Sequence, residues 1–304
     1  MSLNLRKDLV KKCGHLVDGH FERHAFLPAR LAVEESQTQR RHKMTILIRE
    51  DQGAVARLTM NRPEALNALS DAMLAALQEE FGRLSEDRSI RAVVIGGAGK
   101  AFCAGHDLKE MTQGRQAEDG GKAYFNDLFN RCANVMRAIR DLPQPVIAQP
   151  HGIATAAGCQ LVAACDLAIA AEGTKFGVNG VNIGLFCSTP MVALSRNIPR
   201  KQAFEMLTTG QFIDTDRATA LGLINKAVPA EALNAATEEL AETIAAKLGA
   251  VVKIGKEAFY RQLEMGLDDA YDYTRDVMVE NMLWRDTEEG INAFIEKRPP
   301  DWNQ

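Results

Sequence analysis

The chain has 304 residues, a net charge of −4 at neutral pH and the composition of an ordinary globular protein. No run approaches the roughly 18 apolar residues that a membrane-spanning helix needs, and no hydrophobic signal segment is expected at its start. The six cysteines lack the CxxC pairs and histidine spacing of zinc sites. We therefore expect free thiols in a reducing compartment, no bound metal and no membrane partner.

The first 43 residues differ in composition from the rest. They hold nine Lys and Arg against five Asp and Glu, with four of the six histidines. The remainder holds 27 basic and 35 acidic residues, which argues against a nucleic-acid surface. A targeting presequence, a partner-binding extension and a start codon upstream of a natural Met44 all explain the segment, and its acidic residues weaken the first. We expect an accessory extension or a misplaced start over residues 1–43.

The main body alternates between strand and helix patterns. Residues 45–50 and 54–60 are rich in β-forming side chains and flank a hairpin signal at 51–53. Apolar residues then recur at helical spacing over 66–84, which predicts an amphipathic helix covering a sheet. Residues 92–97 form a short apolar run of the kind that parallel sheets bury. This order predicts an α/β fold.

A loop of small residues, 99–111, follows this strand, where open α/β sheets usually place ligands. His106 in the loop could act as a general base, but a single histidine without an identified partner is more often merely packed. Residues 112–122 are polar and glycine-rich and predict a mobile loop or lid. A helix with one apolar stripe over 125–139 then ends at Leu142.

The chain is organised around residues 145–190. A short strand over 146–148 leads into residues with little side-chain bulk, and a helix is expected to start at 158–160. Small residues before a helix let a ligand approach the backbone, where free N–H groups and the helix dipole favour negative charge. They equally permit tight packing of a helix on a sheet, and the residues alone leave both explanations open.

The rest of the chain is predicted to be mostly helical. Thr189 is expected to cap a helix that starts with proline, and short helices are predicted over 201–207 and 215–221, with a last strand within 222–228. Helical periodicity then dominates to the end. We expect a core over 44–230 and a helical subdomain over 231–304 that covers the site or makes a subunit contact.

Four spaced motifs, taken in order, resemble one family. They are NRPEALNALS from Asn61, GKAFCAGHDLKEM from Gly99, PVIAQPHGIATAAGCQLVAACDLAIAAEGTKFG from Pro145, and FIEKRPPDW from Phe294. Over about residues 44–302 the chain resembles the enoyl-CoA hydratase/isomerase (crotonase) superfamily. Within it, GHDLKEM, HGIATAAGCQL and GLFCSTP are most similar to the branch called enoyl-CoA hydratase domain-containing protein three.

The resemblance implies a crotonase-like spiral core of repeated ββα turns with a C-terminal helical trimerisation subdomain, assembled as a homotrimer or hexamer. It implies acyl-CoA thioesters as ligands, with coenzyme A as part of the substrate and no bound cofactor. The backbone N–H groups of His106 and Ala157 match the donors of an oxyanion hole for the thioester carbonyl. This role requires no chemistry from the imidazole of His106.

The resemblance also implies where the CoA moiety lies. The matching positions are Ala65, Leu66 and Ala68 in a turn, and Ala104, Asp107 and Leu108 in a loop. A C-terminal basic residue, Lys297, is expected to reach a phosphate at a subunit interface.

The two catalytic glutamates of the family match Gln160 and Gly180, and neither is acidic. Gln160 can orient a water but cannot take a proton near neutral pH, and Gly180 has no side chain. Losing a general acid or base costs about 10²–10⁴-fold, so hydratase activity is expected to be very weak or absent. Isomerase chemistry that depends on the second glutamate is excluded in the same way. Candidate replacement groups, each with a structural explanation as well, are His106, Asp107, Glu110, Glu118, Cys159 and Cys187.

Two hypotheses follow from this pattern. The first is an acyl-CoA enzyme whose reaction mainly needs oxyanion stabilisation, such as decarboxylation, thioester hydrolysis or a slow lyase step. The second is a non-catalytic acyl-CoA-binding or assembly protein that retains the fold. The expected location is the cytoplasm, or the mitochondrial matrix if the chain is eukaryotic.

Overall fold

A computed structural model of the protein describes residues 45–302. The predicted hairpin is confirmed, because β1 (Leu47–Gln52) and β2 (Val55–Met60) pair antiparallel. Gly53 makes the turn with a φ of 58°, a left-handed value that glycine adopts without steric cost. The extension predicted over residues 1–43 lies outside the described residues.

Four more strands join the hairpin in the main sheet: β3 (Ala92–Gly97), β4 (Val146–Ala148), β6 (Leu167–Ala171) and β8 (Lys226–Val228). The strand order is β1-β2-β3-β4-β6-β8. Every pair from β2 onward is parallel, so β1 is an antiparallel edge strand on an otherwise parallel sheet.

A second layer of short strands runs beside the main sheet. β5 (Ile153–Thr155) and β7 (Lys175–Gly177) pair parallel within it. Parallel bridges between Leu69 and His106 and between Cys103 and Ala154 extend the same layer. From β4 to β7 the chain thus alternates between a strand of the main sheet and a strand of the second layer.

Eleven α-helices lie within residues 45–302. They are α1 (Asp71–Glu86), α2 (Leu108–Gly114), α3 (Lys122–Asp141), α4 (Ala157–Ala164), α5 (Pro190–Asn197), α6 (Arg200–Thr209), α7 (Thr215–Leu221), α8 (Leu233–Ala245), α9 (Gly249–Gln262), α10 (Leu267–Met282) and α11 (Arg285–Glu296). Short 3₁₀ turns cover Pro63–Ala65, Asn179–Ile183 and Ala230–Ala232.

Both faces of β3 are buried, which explains its continuous apolar run. Val93 and Ile95 point into the main core, which is formed mainly with α1, α3 and α4. Ala92 and Val94 point the other way and pack in a second cluster with Ala241 of α8. A parallel strand covered on both faces needs no alternation of polar and apolar residues.

The predicted start of the first helix is wrong. Leu66 and Asn67 have left-handed φ values of 52° and 53°, so they form a turn instead of a helix. The side chain of Ser70 then accepts a hydrogen bond from the N–H of Met73 and caps α1 at Asp71.

The loop predicted over residues 112–122 is shorter than expected. Its first residues belong to α2, which continues to Gly114. Gly121, with a φ of 87°, ends the remaining turn immediately before α3. Thr189 is the N-cap residue of α5 and proline starts the helix, as predicted, but the side chain of Thr189 makes no capping bond.

The last four helices, α8 to α11, follow the sheet as predicted. Their surface carries many exposed apolar side chains, including Leu267, Tyr271, Leu283, Phe294 and Ile295. Among the described residues no helix is long and apolar enough to cross a membrane.

Candidate functional site

Residues 102–103 run parallel to residues 153–155 and bring two loops to the same edge of the second layer. The N–H groups of Phe102 and Cys103 donate to the carbonyl of Ile153 at 3.1 and 3.2 Å. The N–H of Thr155 donates back to the carbonyl of Cys103 at 3.0 Å. Because parallel strands end at one edge, the loops that follow them meet.

The two loops meet at Gly105 and Ala156. A Cβ atom at Gly105 would lie 3.0 Å from the Cβ of Ala156 and 3.3 Å from the nitrogen of Ala157, and Gly105 has a φ of 88°. Only glycine permits this approach. Ala156 has a φ of 50° and a ψ of −118°, and this strained backbone precedes the first turn of α4. Backbone strain of this kind concentrates at functional sites.

The N–H groups that follow this meeting point are both free. Within residues 45–302, no protein acceptor bonds to the N–H of His106 or of Ala157. Their neighbours are engaged, because Leu69 donates to the carbonyl of Gly105 at 2.7 Å and Ala156 donates to the carbonyl of Gly177 at 2.9 Å. Ala157 opens α4, so its N–H has no partner inside the helix.

The turn of residues 62–68 packs beside the loop of residues 104–108. The N–H of Ala104 donates to the carbonyl of Leu66 at 3.0 Å. Asn67 is fully buried and holds the turn through hydrogen bonds of its side-chain amide. The two segments expected to hold the CoA moiety are therefore neighbours.

Asp107 joins these segments and caps α2. Its Oδ1 accepts a hydrogen bond from the N–H of Lys109 at 2.9 Å, and its Oδ2 accepts one from Nη1 of Arg62 at 2.7 Å. Burial alone would raise the pKa of Asp107, but these bonds hold it below its usual value. The carboxylate is thus ionised and engaged, while its neighbour Leu108 is exposed.

Gln160 lies on α4, one turn after Ala157. Its side chain is buried, and its Oε1 has no hydrogen-bond partner within residues 45–302. A buried carbonyl oxygen without a partner costs free energy, so a ligand or water that donates to it would be stabilised there.

Gly180 is enclosed by the loop that follows it. A Cβ atom at this position would clash with the carbonyl oxygen of Leu185 and would lie 2.9 Å from Sγ of Cys187. The N–H of Leu185 also donates to the carbonyl of Gly180 at 3.0 Å. This loop conformation therefore has no room for a carboxylate side chain at Gly180.

The ring of His106 packs against the ring of Phe129. The contact is edge-on, with ring centroids 5.7 Å apart. Both ring nitrogens are buried without a hydrogen-bond partner in the described part of the chain. Burial lowers the pKa of His106, helped by the charge of Arg131, so the ring is neutral at neutral pH.

The sequence and the fold can now be compared with those of known proteins. A sequence model of the family described as enoyl-CoA hydratase/isomerase matches residues 50–304. The chain belongs to the enoyl-CoA hydratase/isomerase family.

Relatives and solved structures agree with this membership. "Enoyl-CoA hydratase domain-containing protein 3, mitochondrial" of Xenopus laevis is 43% identical over 88% of this chain and 89% of its own length. The crystal structure of human enoyl-CoA hydratase domain-containing protein 3 is 42% identical, covers 85% of this chain and 100% of its own, and superposes with a TM-score of 0.81. An enoyl-CoA hydratase of Mycobacterium smegmatis is 54% identical over 86% of this chain and 100% of its own, with a TM-score of 0.82. The predicted α/β crotonase-like fold and the resemblance to this branch are confirmed.

Of three other acidic and thiol candidates, one is hydrogen-bonded, one is exposed and one is fully buried. Glu110 accepts a hydrogen bond from the N–H of Asp71 at 2.7 Å, at the start of α1. Glu118 is exposed in the turn before α3. Cys159 is fully buried, and burial raises the pKa of its thiol to about 12.

Two further residues do not take part in this arrangement of free N–H groups. Lys297, expected to reach a phosphate, is exposed at the end of α11, and among the described residues no contact joins it to this region. Asp166 accepts from Nζ of Lys256 at 2.6 Å and from the hydroxyl of Tyr260 at 2.7 Å. It therefore fastens α9 to the core.

Sequence reasoning missed how closely the loop after Gly180 folds back, because the contact with Leu185 depends on tertiary packing. It gave Cys187 only as one of several candidates.

Within residues 45–302 no group of three or more His, Cys, Asp or Glu side chains is arranged to hold a metal ion.

Proposed function

We propose that the chain is an acyl-CoA thioester enzyme that uses the backbone N–H groups of His106 and Ala157 as an oxyanion hole. The observation that carries this proposal is the parallel pairing of residues 102–103 with 153–155, which delivers two free N–H groups to one edge. A thioester carbonyl bound between them would gain hydrogen bonds as negative charge develops on its oxygen. One such donor is worth about 2.7–4 kcal/mol in the transition state.

Three features support this assignment of the oxyanion hole. The N–H of Ala157 lies at the first turn of α4, where the helix dipole also favours negative charge. A Cβ atom at Gly105 would lie 3.3 Å from the nitrogen of Ala157, so glycine at this position lets the two loops approach closely. The donors belong to the backbone and are held by strand pairing, so they need no reorganisation during the reaction.

The CoA moiety is assigned to the groove between the turn of residues 62–68 and the loop of residues 104–108. Ala65, Ala68 and Ala104 are small, so a ligand can approach the backbone closely, and Leu108 offers an exposed apolar surface. Lys297 is assigned to a phosphate of CoA bound by a neighbouring subunit.

Ordinary hydratase activity is expected to be very weak or absent. Gln160 cannot accept a proton, and the site of the second carboxylate is closed around Gly180. The isomerase reaction that uses the second carboxylate is excluded for the same reason. What the geometry retains is stabilisation of a thioester enolate, which suits decarboxylation, thioester hydrolysis or a slow lyase step.

We assign the chain to a homotrimer or a hexamer. The exposed apolar side chains of α10 and α11 would be unusual on a monomer, because large apolar patches mark interaction surfaces. Several relatives are named mitochondrial, and we place the chain in the same compartment if it is eukaryotic and in the cytoplasm otherwise. Acyl-CoA turnover there would belong to fatty acid metabolism.

The test begins with binding. Butyryl-, crotonyl-, β-hydroxybutyryl- and malonyl-CoA are each added at millimolar concentration, and the melting temperature is measured. A rise with the thioesters supports the CoA site, and no shift with any of them contradicts the proposal.

Turnover then separates an enzyme from a binding protein that has lost its chemistry. The same thioesters are incubated with the protein, and products are followed by mass spectrometry. Turnover that disappears in the Gln160→Ala variant supports an enzyme and rejects a purely binding role. Rapid hydration of crotonyl-CoA would show that the assignment of the missing carboxylates is wrong.

A further inference from the structure

The space of the missing side chain at position 180 is bordered by a thiol. A Cβ atom at Gly180 would lie 2.9 Å from Sγ of Cys187, which means that the thiol stands where a longer side chain would begin. The backbone holds it there, because Leu185 donates to the carbonyl of Gly180 at 3.0 Å and Met191 donates to the carbonyl of Cys187 at 3.0 Å. The thiol of Cys187 thus borders the space that a side chain at position 180 would enter.

The same loop is fastened to the start of α4. The N–H of Ala156 donates to the carbonyl of Gly177 at 2.9 Å, and the hydroxyl of Thr155 donates to Oδ1 of Asn179 at 2.6 Å. These bonds place the segment that carries Gly180 beside the residue that precedes the free N–H of Ala157.

The buried side chain of Gln160, also on α4, has an oxygen without a hydrogen-bond partner in the described residues. Gln160 is only 5% exposed, and its Oε1 has no hydrogen bond within the described residues. It lies one helical turn from Ala157, so both face the same part of the helix start. The free N–H group of Ala157, the unpartnered amide oxygen of Gln160 and the thiol of Cys187 therefore belong to two segments that the bonds described above hold side by side.

We propose that the thiol of Cys187 is the proton donor to the α-carbon of the thioester enolate, in place of the carboxylate that Gly180 lacks. This inference rests on the proposed function. In the step, the enolate carbon takes the proton from Sγ, so that a C–H bond forms, the S–H bond breaks and a thiolate remains. Water returns a proton to the thiolate. In the reverse step the thiolate takes the α-proton and the oxyanion hole holds the resulting enolate.

The chemistry of the thiol suits a donor. Burial raises the pKa of Cys187, so the thiol is protonated near neutral pH and has a proton to give. Cys159, a thiol of α4, is fully buried, whereas Cys187 keeps 6% of its surface exposed. Cys159 therefore offers no comparable route to a ligand.

Affinity labelling tests the geometry without turnover. Bromoacetyl-CoA carries bromide on its α-carbon, so a thiolate nearby forms a C–S bond, bromide leaves and the thiol proton goes to water. The Cys13→Ser background is used because Cys13 lies outside the described residues. Peptide mass spectrometry at pH 8.5 is expected to find the label on Cys187, and excess butyryl-CoA is expected to prevent it.

The Cys187→Ser variant of this background is the control and should take up no label. Labelling of another cysteine alone, or no labelling of Cys187 although butyryl-CoA raises the melting temperature, would overturn the inference. If butyryl-CoA does not bind at all, the proposed function fails first, and the two failures are thereby distinguished.

Exchange of the α-proton tests the chemistry. Butyryl-CoA is incubated in D2O, and deuterium at its α-carbon is measured by mass spectrometry. The Cys187→Ala variant is expected to exchange about 10²-fold more slowly than the wild type, while the Kd for butyryl-CoA stays within twofold. Cys132→Ala, the same truncation of a buried thiol on α3, should exchange at the wild-type rate. Equal rates for Cys187→Ala and wild type, or no exchange by a wild type that binds butyryl-CoA, would overturn the assignment.

Discussion

Arg62 and Asp107 form an ion pair with 2.7 Å between Nη1 and Oδ2, and this pair connects the two segments assigned to CoA. The side chain of Asp107 is buried, whereas 27% of the Arg62 side chain is exposed. The same carboxylate caps α2 through the N–H of Lys109. One side chain therefore orients both the turn and the helix that flank the proposed groove.

Removing this carboxylate should cost stability and affinity. Asp107→Ala loses the helix cap and leaves Arg62 without its partner, so the free energy of unfolding should fall by about 1–3 kcal/mol. Asp107→Asn can still cap α2 and should lose less. Urea denaturation measures the first effect, and calorimetry with butyryl-CoA measures the second. Equal stability of the Ala and Asn variants would show that the cap contributes nothing.

Much of the fold could be predicted from local patterns. The strand over 92–97 and the helix over 215–221 were predicted with the bounds that the structure shows, because an apolar run marks the strand, and Asp214 and Gly222 flank the helix. The strands Ile153–Thr155 and Lys175–Gly177 were missed. Three residues with small or mixed side chains carry too little periodicity to identify a strand.

The site could be predicted only in part. The positions of the two backbone donors followed from resemblance to the family, since a free N–H group leaves no trace in residue type. The approach of Leu185 and Cys187 to Gly180 joins residues through a folded loop, and no sequence pattern encodes that distance. Likewise, the partner of Asp166 is Lys256, 90 residues away.

A carboxylate restored at the second position should not restore hydration. Gly180→Glu would push its side chain into the carbonyl of Leu185, so we expect no hydration of crotonyl-CoA above that of the wild type and a lower free energy of unfolding. Even Gly180→Ala should lose about 1–3 kcal/mol. The rate is followed by the absorbance of the enoyl thioester, and stability by urea denaturation.

Gly82→Ala provides the matched control for this substitution. Gly82 lies on α1, and a Cβ atom there would meet nothing within 4 Å. This variant should be neutral or more stable by up to about 1 kcal/mol, because alanine is the better helix former. A Gly180→Ala protein as stable as Gly82→Ala would mean that the loop moves aside freely.

The ion pair between Lys256 and Asp166 should be among the most sensitive contacts of the C-terminal helices. Nζ of Lys256 donates to Asp166 and also to the carbonyls of Ile139 and Gln144, both at 2.9 Å. Lys256→Met leaves a nearly buried carboxylate without its cation, so we expect a loss of about 3–5 kcal/mol in the free energy of unfolding.

The double variant and a surface lysine test this prediction. Lys256→Met combined with Asp166→Asn should be more stable than the sum of the single losses predicts, because no buried charge remains. Lys253→Met, on the exposed side of the same helix, should change stability by no more than about 0.5 kcal/mol. Additive losses at the pair would show that the two groups do not interact.

The buried ring of His106 should make stability fall at acid pH. Burial lowers its pKa below the ordinary value of 6.5, although the carboxylate of Asp71 opposes the charge of Arg131. Below about pH 6.5 the unfolded chain therefore binds a proton that the folded chain does not, and the free energy of unfolding decreases as the pH falls toward the folded-state pKa. His106→Phe removes this titration and retains an aromatic contact with Phe129, so its stability should fall less between pH 7.5 and pH 5.5. Urea denaturation at the two pH values measures how far the free energy of unfolding falls in each protein. Comparing the two falls cancels the contribution of the other acidic groups, which both proteins share. An equal fall in the two proteins would show that His106 takes up its proton as easily in the folded state as in the unfolded chain.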